Sequence, residues 1–430
     1  MDYKQKYLKY KQKYLRLLRD QKGGEPFLID LLAKQAYLWL FAKNKRQLEF
    51  IFTRRLIPMP PLGNITLNHQ YRLRLLTKGS LSVVLASKLV VSASKLIVSR
   101  NLARLILSRL HVLPRISPPT CVATIIHTSA VNSVAFHPTL PLLATGSGDR
   151  TVRLWNCSNQ QVPTLVDNLN PKKEYKTVVN SVAFHPTLQL LASGSDDSSI
   201  KLWDCLNPQN FTRIATILIQ PSRNITSVAF HSTLPLLATC SNDNSIKLWD
   251  CSTPQNTTLK ATILERHYPF SVAFHPTLPL LASGSGDRTV RLWNCSNQQV
   301  PTLIKDLPGH TDPVWSVAFH PILPILATGS RDNTIKLWNC SNLQNPTLVA
   351  NLTGHTYSVN SVAFHPTLPI LASGSSDNTV KLWDCSNPQT TRQVAELTEH
   401  TNWVNSVAFH PTLPLLATGS RDNTVKLWQL

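Results

Sequence analysis

One segment recurs seven times over the last three quarters of this 430-residue chain. Each copy reads S-V-A-F-H-(P/S)-x-L-x-x-L-A-(T/S)-(G/C)-S-x-D-x-(T/S)-(V/I)-(K/R)-L-W. The closing tryptophans are Trp155, Trp203, Trp249, Trp293, Trp338, Trp383 and Trp428, spaced 48, 46, 44, 45, 45 and 45 residues apart. A fixed period of this length marks a repeat architecture, because one such unit cannot bury its apolar face alone and must stack on copies of itself.

Each copy reads as β structure. V-N-S-V-A-F alternates small or polar with apolar side chains, the period-two pattern of a half-buried strand. H-P-T-L-P is a turn, because proline fixes φ and removes a ladder donor. L-L-A-T-G-S is a second, mostly apolar strand, and G-D-R-T or R-D-N-T is a tight turn whose Asp bonds backbone N–H groups ahead of it. T-V-R-L-W is a third strand, and segments such as P-T-L-I supply a fourth before the next copy.

The period and these residues resemble the WD-repeat β-propeller family. The Trp-Asp pair stands at Trp203–Asp204, Trp249–Asp250 and Trp383–Asp384, and a Gly-His opens two copies at Gly309–His310 and Gly354–His355. Asn replaces the Asp at Asn156, Asn294 and Asn339, and Gln429 stands there in the last copy. The resemblance covers about residues 121–430 and implies an all-β, seven-bladed β-propeller of four-stranded antiparallel blades, in which radial repetition protects the sheet edges. The last copy stops at the end of its third strand, and Val122–Ile126 matches the fourth-strand segment Lys260–Leu264. We expect Val122–Ile126 to pair with the last blade and close the ring, as in the family, removing an exposed edge.

In that family a hydrogen-bonded set of His, Ser/Thr, Asp and Trp locks each blade. Matching positions here are His127, Thr145, Asp149 and Trp155; His310, Thr328, Asp332 and Trp338; His355, Ser373, Asp377 and Trp383; and His400, Thr418, Asp422 and Trp428. Tyr175 and Pro221 stand at the histidine position of copies two and three, so those blades are expected to be looser, since a partly satisfied network is weaker. His267 lies five rather than seven residues before its valine, which leaves its role open.

This reading absorbs most residues that look chemical. Seven of the fourteen histidines belong to the F-H-P or F-H-S turn, and five more open repeats. One histidine per blade is spread around a ring rather than gathered on an ion, so no metal or cofactor is expected. Six of the eight cysteines follow the Trp-Asp/Asn position and none forms C-x-x-C, which favours buried structural thiols in a reducing compartment. No phosphate loop, nucleophile elbow or H-E-x-x-H motif occurs, so the chain is expected not to be an enzyme.

Charge divides the chain. The net formal charge is +20; residues 1–120 hold 23 Lys+Arg against 5 Asp+Glu, and residues 121–430 hold 20 against 18. The first part splits into a basic amphipathic, helical segment over 1–57 and a basic Ser/Leu/Val-rich segment with a proline-containing linker over 58–120. Its tandem start, Tyr3–Lys9 then Tyr10–Arg16, sets tyrosines along one helical stripe and resembles the opening of giant DNA virus (mimivirus-type) proteins. Such a basic half points to an anionic partner: nucleic acid, a membrane surface or an acidic protein. No signal peptide or membrane span is apparent, so an intracellular location, in cytoplasm, nucleus or virion, is expected.

In the propeller family, partners often sit on the face made by the loops into the first strands and the turns before the third. There this chain offers Phe270, Trp315, Tyr357 and Trp403, with Arg331 and Arg421 preceding turn aspartates. Tryptophan, tyrosine and arginine are the residues that most often dominate interface energetics. The expected function is a non-catalytic protein-interaction scaffold binding one or more proteins on that face. The alternatives are a nucleic-acid or anionic-membrane tether through residues 1–120 with the propeller recruiting cargo, and a substrate receptor of a modifying complex. The F-box that some family members carry before the propeller has no match here.

Overall fold

The computed structural model describes residues 118–169, 175–205, 211–219 and 223–430. The expectations for residues 1–117 (the helical leader, the apolar basic segment and their anionic partner) lie outside the described residues, as does Pro221.

Seven four-stranded antiparallel sheets are described, each built from one repeat in consecutive order except the last. Blade one runs through Val131–Phe136, Leu142–Ser147, Val152–Asn156 and Thr164–Asn168. In the last blade Thr120–Ile126 takes the outer place, antiparallel to Thr424–Gln429, with Cys121 opposite Trp428 and Ile125 opposite Val425. The chain is therefore tied at both ends of the repeat array into one sheet, and the ring has no open blade.

The core lies between blades. Each second strand, such as Leu142–Ser147 or Leu415–Ser420, is buried along its whole length because a neighbouring blade covers each face. One cluster packs Leu142, Val152 and Leu154 of blade one against Val179, Val182 and Phe184 of blade two, and another joins Leu415, Val425 and Leu427 of blade seven to Val131, Val134 and Phe136 of blade one. Close approach requires glycine in these strands: a Cβ on Gly374 would lie 2.7 Å from Val404 Cγ1 of the next blade. In blade three Cys240 replaces this glycine, and at the facing position of blade four Pro269 replaces the valine or isoleucine.

Two polar devices repeat around the ring. The serine of each S-V-A-F accepts a hydrogen bond from a valine N–H in the next blade, at 3.0–3.4 Å, from Ser133 with Val182 round to Ser406 with Val134. Each F-H-P or F-H-S histidine accepts two backbone N–H bonds at Nδ1 from residues two and three ahead; for His320 these are Ile322 and Leu323, both at 3.0 Å. The same ring meets the phenylalanine of the next blade, as His137 meets Phe184 at 5.0 Å between centroids. Burial pushes the pKa of His320, His365 and His410 down to about 4. The neutral form suits these sites, because only an unprotonated Nδ1 can accept.

Candidate functional site

The candidate site occupies the face formed by the loops entering the first strands and the turns between second and third strands. Those turns are held alike in every blade. Asp149 Oδ1 accepts the Thr151 N–H at 3.1 Å, and the six later turns repeat the bond. The residue between adopts a left-handed conformation, with φ of 64–72° at Arg150, Ser198, Asn244, Arg288, Asn333, Asn378 and Asn423. Asparagine tolerates this region readily; arginine and serine occupy it at some cost.

Beneath the turns lie the locks. His310 Nδ1 is 2.7 Å from Asp332 Oδ2 and its Nε2 is 2.8 Å from Thr328 Oγ1, which accepts the Trp338 indole N–H at 3.1 Å. His355 with Asp377, Ser373 and Trp383, and His400 with Asp422, Thr418 and Trp428, repeat this within 2.7–2.9 Å. The carboxylate selects the tautomer: Nδ1–H donates to Asp, so Nε2 accepts from the hydroxyl. Burial by itself raises the Asp332 carboxyl, but hydrogen bonds from His310 and Thr334 outweigh it and hold the group well below the ordinary carboxylate range.

Blade one is slacker. His127 Nε2 reaches Thr145 Oγ1 at 3.1 Å, but Nδ1 stands 3.6 Å from Asp149 Oδ2 and has no hydrogen-bond partner. Arg153 and Thr128 take that carboxylate oxygen instead, at 2.8 and 3.0 Å.

Two blades fill the slot with other chemistry. In blade two the Tyr175 hydroxyl bonds Ser193 Oγ, which also accepts Trp203 Nε1–H at 2.9 Å, and Lys201 Nζ lies 3.3 Å from the centre of the tyrosine ring. The lock expected to be missing there is therefore made by a different side chain. In blade four the slot belongs to Glu265, not to His267, which is exposed. Ser283 Oγ donates to Glu265 at 2.5 Å, and Arg291 joins Glu265, Asp287 and Asp306. The eighteen-residue interval to the Ser/Thr hydroxyl, rather than a search for histidine, would have found Glu265 in the sequence.

At the mouth of the ring each first strand carries a β-bulge, and the extra residue is re-aimed by it. In five blades this residue is polar and ties to a backbone carbonyl of the next blade: Asn132 to Val179, Asn180 to Ile225, Thr226 to Pro269, Asn360 to Val404 and Asn405 to Val131, at 2.8–3.1 Å. In blades four and five it is Phe270 and Trp315. Their rings pack at 4.3 Å between centroids with planes tilted by 35°, and Tyr268 meets Phe270 edge-on at 6.3 Å. In blade seven the Arg421 guanidinium lies 4.1 Å from the Trp403 ring centre. Trp315, Tyr357 and Trp403 are 36%, 64% and 42% exposed. The structure thus brings Phe270 to Trp315 and Trp403 to Arg421. Tyr357 stands apart, beside the Thr356 carbonyl that accepts from Asn333 of the preceding blade, and Arg331 shows no carboxylate partner among the described residues.

No other chemistry gathers here. Among the described residues no group of three or more His, Cys, Asp or Glu is placed to hold a metal, and no helix is long and apolar enough to cross a membrane. All eight cysteines are free thiols, and burial pushes Cys157, Cys295 and Cys340 up to about 12, which makes them poor nucleophiles.

A comparison with curated proteins returned no match. The profile described as "WD domain, G-beta repeat" matches seven times, over residues 119–156, 169–204, 212–250, 258–294, 301–339, 346–384 and 391–429. Propellers of this kind commonly bind other proteins and usually act without catalysis. Seven matched repeats in seven closed blades place this chain in the WD-repeat family.

Proposed function

We propose that this protein is a non-catalytic interaction scaffold whose partner surface is the face carrying Phe270, Trp315, Arg331, Tyr357, Trp403 and Arg421. The observation that carries this reading is the break in sevenfold regularity. Five blades use the bulge position to tie to a neighbour, and two give it to aromatic rings packed on each other with part of their surface open to solvent. Exposed aromatic area beside arginine serves binding better than folding. The buried histidines support the non-catalytic part, since each is held in a turn or a lock through at least one ring nitrogen. In pull-downs with the full chain, Trp315→Ala combined with Trp403→Ala is expected to abolish partner capture while the unfolding midpoint stays within a few degrees. Unchanged capture sinks the proposed surface.

The excess of 18 positive charges in residues 1–120 favours a second reading, a tether to nucleic acid or anionic membrane with the propeller carrying cargo. Phosphate or lipid binding falls steeply with ionic strength. Partners that survive high salt and nuclease on the full chain support the scaffold; partners lost to either support the tether.

A further inference from the structure

Neighbouring side chains around the blade four and five bulges differ from the rest of the ring in both shape and charge. In blade two the bulge side chain of Asn180 contacts Asp196, 2.5 Å away, and in blade six Asn360 contacts Ser376 at 3.0 Å. Asp196 and Ser376 are the residues just before the turn aspartate. In blade four that position is Gly286, whose added Cβ would lie 3.5 Å from the Phe270 ring. The same register places Arg331 beside Trp315. Left-handed turn residues in turn reach the incoming loop of the next blade, as Asn333 reaches Thr356 O at 3.2 Å. Arg288 holds that position in blade four, beside the loop that leads to Trp315.

By register, Arg288 and Arg331 therefore hold the turn positions next to the loops that carry the aromatic row of Tyr268, Phe270 and Trp315. Neither Arg288 nor Arg331 pairs with a carboxylate among the described residues, and both are exposed. The nearest acidic residue of the loop, Asp312, is half-buried, and its backbone carbonyl accepts from Ser330. Resting on the reading of this face as the partner surface, we infer that its stretch at blades four and five takes an acidic peptide segment carrying one large apolar side chain. The apolar side chain stacks on Phe270 and Trp315, and carboxylates beside it meet Arg331 and Arg288, where planar guanidinium suits planar carboxylate. A nucleic-acid strand fits less well: it needs a positive groove that tracks many phosphates, and residues 121–430 hold 20 basic against 18 acidic side chains.

Synthetic labelled 12-residue peptides test this with the full chain, by fluorescence anisotropy. One is rich in Asp and Glu with a central Trp, the second has Ala in place of that Trp, and the third keeps the Trp among neutral residues. The basic N-terminal part attracts any acidic peptide, so the quantity to read is the gain due to the Trp. The acidic Trp peptide is expected to bind about tenfold tighter than its Ala counterpart, a gain of about 1.4 kcal/mol. Phe270→Asn with Trp315→Asn is expected to remove that gain and leave the Ala peptide unchanged. Asparagine is what four other blades carry at this position, which keeps the fold intact. Arg288→Ser with Arg331→Ser is expected to erase the preference of the Trp for an acidic over a neutral context. The inference is overturned by no gain from the Trp, by an equal gain in the neutral peptide, or by a gain that survives Phe270→Asn with Trp315→Asn. Tight binding of a labelled single-stranded oligonucleotide that depends on Trp315 overturns it as well. If the Trp gain is absent while Trp315→Ala with Trp403→Ala still abolishes partner capture, the peptide class is wrong and the scaffold stands.

Discussion

His410 meets Phe136 edge-on, with 4.9 Å between ring centroids, and joins the last blade to the first. Six other histidine–phenylalanine pairs repeat the contact between neighbouring blades at 4.8–5.1 Å. Each ring must stay neutral to accept at Nδ1, so the seams between blades respond to acid.

The folded pKa of His320, His365 and His410, about 4, lies below the ordinary 6.5. An unfolded chain therefore binds protons here that the native state refuses. Stability from these rings is complete above pH 6.5 and is lost as pH falls from 6.5 to about 4, by on the order of 3 kcal/mol for each ring. Replacing all three by Asn keeps an acceptor for the turn N–H groups but removes the titration. Urea midpoints measured between pH 7 and 4 should fall less steeply in that variant than in the parent. Equal slopes would show that the rings do not govern the acid response.

The locks differ in completeness, and so should their deletion costs. Removing His400 takes one hydrogen bond each from Asp422 and Thr418 in a buried site, at about 1–3 kcal/mol, although Thr401, Thr424 and Trp428 still bond to them. His127→Ala should cost less, because its Nδ1 already lacks a partner and Arg153 holds Asp149 without it. Denaturant midpoints of the two variants decide the order.

Arg153 and Arg291 lie in identical twenty-residue segments, Gly146–Leu165 and Gly284–Leu303, yet work in different surroundings. The Arg291 side chain is 4% exposed among three carboxylates, and that of Arg153 is 16% exposed beside one. Arg291→Leu leaves Glu265 and Asp287 without a cationic partner, and a loss of about 3–5 kcal/mol is expected. Arg153→Leu should lose less than half of that. Comparable losses would mean that the buried cluster is no more than a surface pair in effect.

Gly374→Ala puts a Cβ 2.7 Å from Val404 Cγ1, an overpacking that should cost about 1–3 kcal/mol. The same change in a Val404→Ala background should cost less, because the obstructing methyl is gone. A double-mutant cycle measures this as a favourable coupling of at least about 0.5 kcal/mol. Strict additivity would refute the contact.

Much of this protein is written locally. The tryptophan period gave the number of blades, the alternation in V-N-S-V-A-F and the prolines of H-P-T-L-P marked strands and turns, and the turn aspartates were readable by type. Phe270, Trp315, Tyr357 and Trp403 stand out because copies one to three offer mostly small or amide residues in these loops. The sequence alone thus determined repeat number, strand order and the loops that carry the aromatic residues, since those depend on patterns within about 45 residues. Only the tertiary structure decided that Tyr175 bonds the lock hydroxyl of blade two, that Glu265 rather than His267 does so in blade four, that turn histidines clasp the next blade, and that Phe270 packs on Trp315. Each of these joins side chains set by strand register, bulge geometry and the curvature of a closed ring, and periodicity along the chain carries no record of distance across it.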